Sequence, residues 1–375
     1  MRIALVTETY PPEINGVAMT VGRLHEGLIG RGHQVQLIRP RQKRVDARIR
    51  REHDELLTVP GLRLPLYPDL QFGLPARRKL TERWRRARPD IVHIVTEGPL
   101  GASALGAARD LRLPTLAGFH TNFHSYSRHY GFGFLHRPII AYLRRFHNRC
   151  HATLAPTLEL AQQLESLAFR NVRVLARGVD TRLFTPLQRD LALRRSWGAN
   201  DDQPVALYVG RLAPEKNLTL AIQAFLALRA LRPFARFVLV GDGPLARKLR
   251  VRHPDFLFCG VRTGADLAAH YASADIFLFP SLTETFGNVT LEAMASGLAV
   301  VAFEYAAAYR HIEHNRSGLL APLGDADAFI RLARGLGCDL ERAHALGRQA
   351  RTAIEPFGWE RIHDQLIETY SSLAK

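Results

Sequence analysis

The chain has 375 residues, of which 47% are hydrophobic, and it carries three cysteines and a formal net charge of +16. This length predicts two domains, and this hydrophobic content is typical of a globular protein with a substantial core. Three cysteines far apart in the sequence exclude a disulfide framework and favour a reducing compartment. Residues 1–7 turn polar too soon for a secretion signal. No apolar run approaches ~18 residues, so we expect no membrane-spanning helix.

The positive charge is concentrated in the first half. Residues 1–185 hold 29 basic and 15 acidic side chains, whereas residues 186–375 hold 22 and 20. This asymmetry predicts an anionic partner for the first half, either a membrane surface or a nucleic acid. An arginine-rich composition without any such partner is the alternative.

The first half opens as a strand, a loop, a helix and a strand. Residues 2–6 and 35–38 are short apolar runs typical of buried strands, and residues 20–29 have helical periodicity. The loop contains Gly16, which allows a ligand to approach the backbone closely. It lacks the Gly-x-Gly-x-x-Gly fingerprint, which argues against NAD binding.

Two basic clusters follow. We interpret residues 39–55, which include Arg39, as an exposed loop or a solvated basic segment. Residues 77–88 have helical periodicity around Leu80 and Trp84, with many cations beside the apolar stripe. Such a helix can lie on an anionic membrane, and an ordinary solvated helix face explains it equally well.

His120 lies at the C-terminal end of a predicted strand at residues 113–120, and His124 and His129 come soon after it. No acidic third ligand accompanies an i, i+4 pair of these histidines, as it does in a helical zinc site, so we do not predict a metal site. Residues 123–149 are both apolar and arginine-rich, which would suit a lipid-bearing acceptor on an anionic surface.

The alternation of predicted strands and helices restarts after a polar linker near residues 180–200. A predicted strand at 205–210 leads into a loop with Arg211 and Lys216, and a helix at 218–228 follows. Two cations between a strand end and a helix start can neutralise a leaving diphosphate. The alternative is an ordinary pair of surface cations.

The stretch from Ile276 to Gly297 contains two carboxylates. Residues 276–279 predict a buried strand, and residues 289–295 predict a helix with Asn288 as N-cap. Glu284 then lies in the loop and Glu292 about a turn into the helix. Ligands bind at this end of parallel strands. Spacing alone also allows Glu284 to cap a turn and Glu292 to be a solvated helix residue.

Glu284 and Glu292, with seven residues between them and Phe286-Gly287 inside, resemble the signature of retaining glycosyltransferases of family 4. The run Gly178-Val179-Asp180 with Phe184 is similar to the linker of that family. The resemblance implies an α/β protein of the GT-B fold, with two Rossmann-like domains facing across a cleft. It implies an acceptor domain at 1–180 together with a helix at about 358–375, and a nucleotide-sugar domain at 181–357.

The same resemblance assigns roles to individual residues. It implies four catalytic residues: His120, Arg211, Lys216 and Glu284. It implies a donor-binding set made of Gly16, Val261, Arg262, Phe286, Gly287, Asn288, Val289, Thr290 and Glu292. It places Asn15, Asn122 and Tyr126 near the acceptor.

The chain also departs from the family pattern at two places. Asn15 replaces the first glycine of a Gly-Gly pair, and residues 304–308 replace a Gly-Gly turn with an alanine-rich form. That form is better known among members that glycosylate lipids.

The chemistry implied is transfer of a hexosyl group from GDP-mannose or a UDP-hexose to a hydroxyl group, with retention of configuration. The leaving diphosphate would accept the proton of the incoming hydroxyl. We expect no cofactor and no metal, because two cations and a helix N-terminus already meet the negative charge.

The expected acceptor is a membrane lipid or glycolipid, and the expected location is cytoplasmic, at the inner face of the plasma membrane. A soluble or polysaccharide acceptor, a GT-B epimerase, a sugar-phosphate synthase and a basic nucleic-acid-binding protein are the alternatives. The last lacks interleaved aromatic and basic motifs.

Overall fold

The computed structural model describes residues 1–13, 15–42, 55–64, 67–120 and 136–374. The predicted residues Asn122, His124, Tyr126 and His129 therefore lie outside the described part of the chain. Two compact units are present. One contains the described residues up to Arg177 together with those from Trp359 onward, and the other contains Gly178–Gly358.

The strands of the first unit are β1 Arg2–Val6, β2 Gln34–Pro40, β3 Leu56–Val59, β4 Gly61–Leu64, β5 Tyr67–Gly73, β6 Ile91–Ile94, β7 Thr115–Gly118, β8 Ala152–Ala155 and β9 Val172–Val174. Seven of them form a parallel sheet in the order β3-β2-β1-β6-β7-β8-β9. Strands β4 and β5 pair separately as an antiparallel hairpin, which the sequence did not predict.

The described helices of this unit are α1 Gly16–Gly30, α2 Arg77–Arg86, α3 Pro99–Asp110, α4 His136–His147 and α5 Leu158–Ser166, with a C-terminal helix, Trp359–Leu373, that also belongs here. Alternate residues of β1 face opposite layers. Ile3 and Leu5 pack in one cluster with α1 and the C-terminal helix, and Ala4 and Val6 pack in another with Trp84 of α2. Burial on both faces is what a doubly wound parallel sheet requires.

Arg39 corrects one prediction. The charge pattern indicated an exposed segment beginning here, but Arg39 is the penultimate residue of β2 and only 1% exposed. Its guanidinium donates to the carbonyl of Pro40 and lies 5.7 Å from the centre of the Tyr10 ring. The sheet therefore continues two residues beyond the predicted strand, because the arginine is paired inside the protein.

The strands of the second unit are β10 Val205–Val209, β11 Arg236–Val240, β12 Leu257–Gly260, β13 Ile276–Phe279, β14 Ala299–Phe303 and β15 Leu319–Ala321. They form a parallel sheet in the order β12-β11-β10-β13-β14-β15. Its helices are α6 Leu191–Ser196, α7 Leu218–Arg229, α8 Ala246–Arg252, α9 Gly264–Ala272, α10 Asn288–Ala295, α11 Ala306–His311, α12 Ala326–Cys338 and α13 Leu340–Ile354. The C-terminal helix of the first unit is thus α14.

Each sheet reverses its strand order at one place, between β1 and β6 in the first unit and between β10 and β13 in the second. Ligands of open α/β sheets bind outside the carboxyl ends of the strands at such switch points. The loop that leaves β1 leads to Gly16 at the start of α1, and the loops carrying Lys216 and Glu284 leave β10 and β13. Within the described residues, no helix is long and apolar enough to span a membrane.

Candidate active site

Lys216 and Glu284 are direct partners in the second unit. Lys216 Nζ lies 2.5 Å from Glu284 Oε1, and Ser281 Oγ donates to the same oxygen at 2.7 Å. The lysine side chain is 21% exposed and the glutamate side chain 14% exposed. The structure thus brings together two predicted catalytic residues from the loops after β10 and β13, and leaves both reachable from solvent.

The backbone of these two loops is cross-linked. Residues Pro214–Lys216 form a 3₁₀ turn, and Asn217 then takes a left-handed conformation before α7. Asn217 Nδ2 donates to the carbonyl of Pro280 at 3.2 Å, and Thr283 Oγ1 donates to the carbonyl of Glu215 at 3.2 Å. These contacts fix the lysine and the carboxylate relative to each other.

Arg211 begins the same loop, and its side chain is 42% exposed. Its carbonyl accepts a hydrogen bond from Tyr208 at 3.1 Å, and its Nη1 lies 3.6 Å from Glu215 Oε1. Burial, followed by the charges of Glu284 and Glu215, raises the pKa of Tyr208 well above its usual value. Tyr208 therefore remains a neutral donor that holds the backbone of Arg211, while the Arg211 guanidinium lies near the Glu215 carboxylate and is partly exposed to solvent.

The start of α10 corrects a second prediction. Asn288 is the first helical residue, and the N-cap is Gly287, whose φ of +95° is readily adopted only by glycine. A glycine cap supplies no side-chain acceptor to the first turn. The N–H groups at a helix start attract anions, so this turn, which contains Asn288, Val289 and Thr290, favours a phosphate or a sugar oxygen.

Phe286, which precedes that cap, is 1% exposed. Its carbonyl accepts from the N–H of Ala307 at 2.8 Å. Its ring also lies edge-on to His311, with the ring centres 6.2 Å apart. Phe286 therefore anchors the loop in the core, and only its backbone can reach a ligand.

Glu292 lies in the second turn of α10 and accepts a hydrogen bond from Tyr271 at 2.9 Å. Tyr271 is fully buried, and burial followed by the nearby Glu292 charge raises its pKa well above its usual value. The sequence analysis missed Tyr271. The only available signal was that this residue of α9 is aromatic and carries a hydroxyl group. The hydroxyl therefore orients the Glu292 carboxylate.

The alanine-rich segment after β14 contacts Glu284 as well. Tyr305 donates its hydroxyl to the carbonyl of Glu284 at 3.0 Å, and Ala306 follows with a φ of +52°. A cavity of about 10 Å³ lies between this segment and the Glu284 loop, which is room for about one water molecule. The departure from a Gly-Gly turn thus provides an aromatic support for the loop that carries Glu284.

Val261 and Arg262 follow the edge strand β12. Val261 is 47% exposed. Arg262 Nε donates to the carbonyl of Cys259 at 2.9 Å, and its Nη1 lies 3.0 Å from Asp266 Oδ2. The Arg262 guanidinium is thus engaged with its own strand and with α9, and these contacts do not connect it to Lys216 or Glu284.

The first unit places Asn15 and Gly16 at the start of α1. The Asn15 side chain accepts from the N–H groups of Val17 and Ala18, and its Nδ2 donates to Thr9 Oγ1 at 2.8 Å. This cap explains why α1 begins four residues before its predicted start. The polar atoms of Asn15 are therefore occupied in shaping the loop.

His120 lies two residues after β7, and Arg177 Nη2 lies 3.0 Å from its Nδ1. Arg177 is 6% exposed, and a Cβ added to Gly16 would lie 3.9 Å from its Nη1. The sequence analysis missed Arg177. The only signal was a lone arginine directly before Gly178. Among the described residues, no three histidine, cysteine or acidic side chains are grouped as metal ligands.

Family models match both units of the chain. Residues 14–183 match the model described as Glycosyltransferase Family 4, and residues 203–338 match the model described as Glycosyl transferases group 1. The chain belongs to the family 4 glycosyltransferases. The predicted family and the predicted type of enzyme, a glycosyltransferase that moves a hexosyl group, are confirmed.

Several named relatives align with most of this glycosyltransferase. A GDP-mannose-dependent alpha-mannosyltransferase of Mycolicibacterium smegmatis is 35% identical and aligns over 100% of this chain and 98% of its own length. Sulfoquinovosyl transferase SQD2 of Arabidopsis thaliana is 31% identical over 82% of this chain and 62% of its own. An alpha-monoglucosyldiacylglycerol synthase of Streptococcus pneumoniae is 29% identical over 80% of this chain and 71% of its own.

Solved structures share the fold of this glycosyltransferase. Anabaena Alr3699/HepE in complex with UDP and glucose superposes with a TM-score of 0.79 at 20% identity, covering 100% of both chains. WaaG, a glycosyltransferase involved in lipopolysaccharide biosynthesis, superposes with a TM-score of 0.72 at 18% identity, covering 98% of this chain and 99% of its own. The predicted GT-B fold, with two parallel-sheet α/β units, is confirmed.

Proposed function

We propose that this glycosyltransferase moves a mannosyl group from GDP-mannose to a hydroxyl group of a membrane lipid or glycolipid, with retention of configuration. The observation that carries the proposal is the Lys216–Glu284 pair beside the glycine-capped start of α10. Relatives of Mycolicibacterium smegmatis, Corynebacterium glutamicum and Mycobacterium tuberculosis that bear the name GDP-mannose-dependent alpha-mannosyltransferase are 32–35% identical over the whole chain.

In this proposal the second unit binds the donor. Arg211 and Lys216 supply two cations for the diphosphate, and the first turn of α10 supplies backbone N–H groups. Glu292, oriented by Tyr271, accepts from the ribose hydroxyls. When the donor binds, the Glu284 carboxylate gives up its contact with Lys216 and accepts hydrogen bonds from hydroxyl groups of the sugar. The diphosphate, the ribose and the sugar of the donor thus each meet a group of opposite hydrogen-bonding character.

The chemical step breaks the bond between the anomeric carbon and the diphosphate oxygen. The acceptor oxygen bonds to that carbon on the same face, and its proton passes to the departing diphosphate. Arg211 and Lys216 stabilise the negative charge that develops on the leaving group, which is how fixed cations lower such a barrier. The step is therefore expected to proceed without a metal ion and to continue in EDTA.

The proposed acceptor and location rest on the first unit. Helices α3 and α4 and Arg77 of α2 border a groove of about 700 Å³ with an apolar floor that includes Leu105 and Phe146. Four arginines line it: Arg77, Arg109, Arg145 and Arg149. A basic groove with an apolar floor suits binding to an anionic membrane surface. We therefore propose that the enzyme is cytoplasmic and binds the inner face of the plasma membrane.

A donor panel tests the proposal. Release of nucleoside diphosphate is measured for GDP-mannose, UDP-glucose and UDP-galactose, each with and without extracted membrane lipids, in EDTA. We expect release from GDP-mannose that depends on lipid. Release only from a UDP-sugar would show that the donor is not GDP-mannose. Release that does not depend on lipid would contradict the lipid acceptor, and no release in EDTA with full release after metal is added would refute the metal-free step.

A further inference from the structure

The contact between His120 and Arg177 joins two segments that are 57 residues apart in the chain. Arg177 Nη2 lies 3.0 Å from His120 Nδ1, and the arginine is almost entirely buried. A buried guanidinium aimed at one nitrogen of an imidazole constrains where the protons of that ring can be.

A guanidinium group carries only hydrogen-bond donors. His120 Nδ1 must therefore accept, using its lone pair, and the proton of a neutral ring must reside on Nε2. The other neutral tautomer, or a doubly protonated ring, would set an N–H of the histidine against an N–H of the arginine. Both of those forms would lose the hydrogen bond, and the second would add repulsion between two positive charges.

We propose that Arg177 is a positioning residue that holds His120 as the neutral tautomer protonated on Nε2, so that the lone pair of Nδ1 is engaged and the ring does not act as the base of the transfer reaction. The inference rests on the proposed function in that it assigns His120 to the transfer reaction. It agrees with a mechanism in which the leaving diphosphate, and not a side chain, takes the acceptor proton.

The surroundings of His120 favour the same form. Burial first, then the positive charge of Arg177 and the neighbouring His93 and His147, hold the pKa of His120 well below its usual value. Burial also lowers the pKa of His93 to about 4 and that of His147 to about 3. These three rings are therefore neutral at physiological pH.

Two glycines leave room for this pair. A Cβ added to Gly118 would lie 2.6 Å from His120 Nε2, so the ring occupies the space of a missing side chain. A Cβ added to Gly16 would come within 3.9 Å of Arg177 Nη1, so a longer side chain at that position would meet the guanidinium. The orientation of the ring is thus set by packing on one side and by Arg177 on the other.

Nitrogen NMR on the full-length protein with ¹⁵N-labelled histidine tests the assignment directly, with His120→Gln identifying the signals. We expect His120 Nδ1 to appear as an unprotonated, pyridine-type nitrogen and Nε2 as a protonated one at neutral pH. Arg177→Met, which removes the donor, should give a mixture of tautomers. Protonation of Nδ1 in the wild type, or an unchanged spectrum in Arg177→Met, would overturn the proposal.

Kinetics separate positioning from a structural role. Arg177→Met should lower kcat by ~10- to 100-fold, as loss of a group that orients a functional histidine does, with the KM for the donor nearly unchanged. Arg177→Gln, which keeps an N–H donor, should recover part of the rate and of the wild-type spectrum. Arg173→Met, at an exposed arginine in β9, is the matched control and should change neither.

These outcomes are distinguishable from failure of the proposed function. If no nucleotide sugar is turned over, the NMR experiment still decides the tautomer. If Arg177→Met lowers kcat while the His120 nitrogen shifts stay as in the wild type, Arg177 acts directly and the positioning role is refuted.

Discussion

Lys216 Nζ lies 2.5 Å from Glu284 Oε1, although the two residues are 68 positions apart in the chain. The family resemblance implies a diphosphate as the ligand of the lysine and a sugar as the ligand of the glutamate, and the structure shows that the two side chains are paired with each other. In the proposed function, the diphosphate and the hydroxyl groups of the donor compete with this ion pair for both side chains.

Replacing Lys216 tests its role in turnover. Lys216→Ala should lower kcat by ~100-fold or more at saturating donor, the loss typical of removing one group that stabilises a developing negative charge. Initial rates of diphosphate release measure the effect. Lys248→Ala, at an exposed lysine of α8, is the control for a lost cation in the same unit, and a near-normal rate in Lys216→Ala would contradict the assignment.

Gly287 provides a test of the turn before α10. Its φ is +95° and the nearest atom to an added Cβ would be 3.6 Å away, so Gly287→Ala meets backbone strain and not a clash. The strain should cost about 1 kcal/mol of stability and shift the N–H groups that face the donor. Gly324 has a φ of +86° and open space around it. Gly324→Ala should lose similar stability by denaturant unfolding but keep its activity, and equal activity losses in both variants would refute a special role for Gly287.

Glu8 gives the first unit a pH-dependent stability. Its carboxylate is buried beside the N-terminus of α3, where the N–H of Leu100 donates to it at 3.0 Å. Burial, partly offset by that hydrogen bond, raises the pKa of Glu8 to about 7. The folded state then binds a proton that the unfolded state has released above pH 4.5. The contribution of Glu8 to stability is therefore full below pH 4.5 and is lost as the pH rises through 7.

Glu8→Gln should remove this dependence. The free energy of unfolding of the wild type, relative to that of Glu8→Gln, should fall by roughly 3 kcal/mol between pH 4.5 and pH 8. Urea unfolding across that range measures it. Because burial is the leading cause, 1 M salt should leave the difference in place. A difference that does not change with pH would show that Glu8 is ionised in the folded protein.

The arginine-lined groove predicts binding to anionic vesicles. Arg77 Nη2 lies 2.6 Å from Asp110 Oδ1, so this carboxylate partly neutralises Arg77. Arg145 and Arg149 of the same groove are therefore expected to attract an anionic surface more strongly than Arg77 does. At roughly 1 kcal/mol per basic residue near an anionic surface, Arg145→Gln with Arg149→Gln should weaken vesicle binding roughly 30-fold. The matched control is Arg331→Gln with Arg334→Gln on α12. Vesicle co-sedimentation that falls equally in both pairs would argue against a specific groove.

Much of the fold follows from local patterns in the sequence. The run Ile276–Phe279 is apolar throughout and becomes a fully buried strand between β10 and β14. The hairpin of β4 and β5 was not predicted from the sequence. Its strands contain a proline and charged residues, with a glycine at each end of the hairpin, and these residues weaken the strand pattern. Arg39 was misread for a related reason, since a run of charges does not reveal which member is paired inside the protein.

The site was predicted as a set of residues and not as a set of contacts. The family resemblance implied roles for Glu284, Glu292, Arg211 and Lys216, but the ion pair between Lys216 and Glu284 depends on how two loops meet. No pattern in the sequence identified the residues that support this site. Arg177, Tyr271 and Tyr305 act through partners that are 57, 21 and 21 positions away, so only the folded chain identifies them.

The central claim is hexosyl transfer from a nucleotide sugar to a lipid hydroxyl group with retention, and one product analysis tests it most directly. The purified enzyme is incubated with α-configured GDP-mannose and extracted membrane lipids in EDTA, and the lipid product is examined by mass spectrometry and by NMR of its anomeric proton. We predict a lipid that has gained one hexose in an α linkage. A β linkage, or no hexose gained by any lipid, would contradict the account.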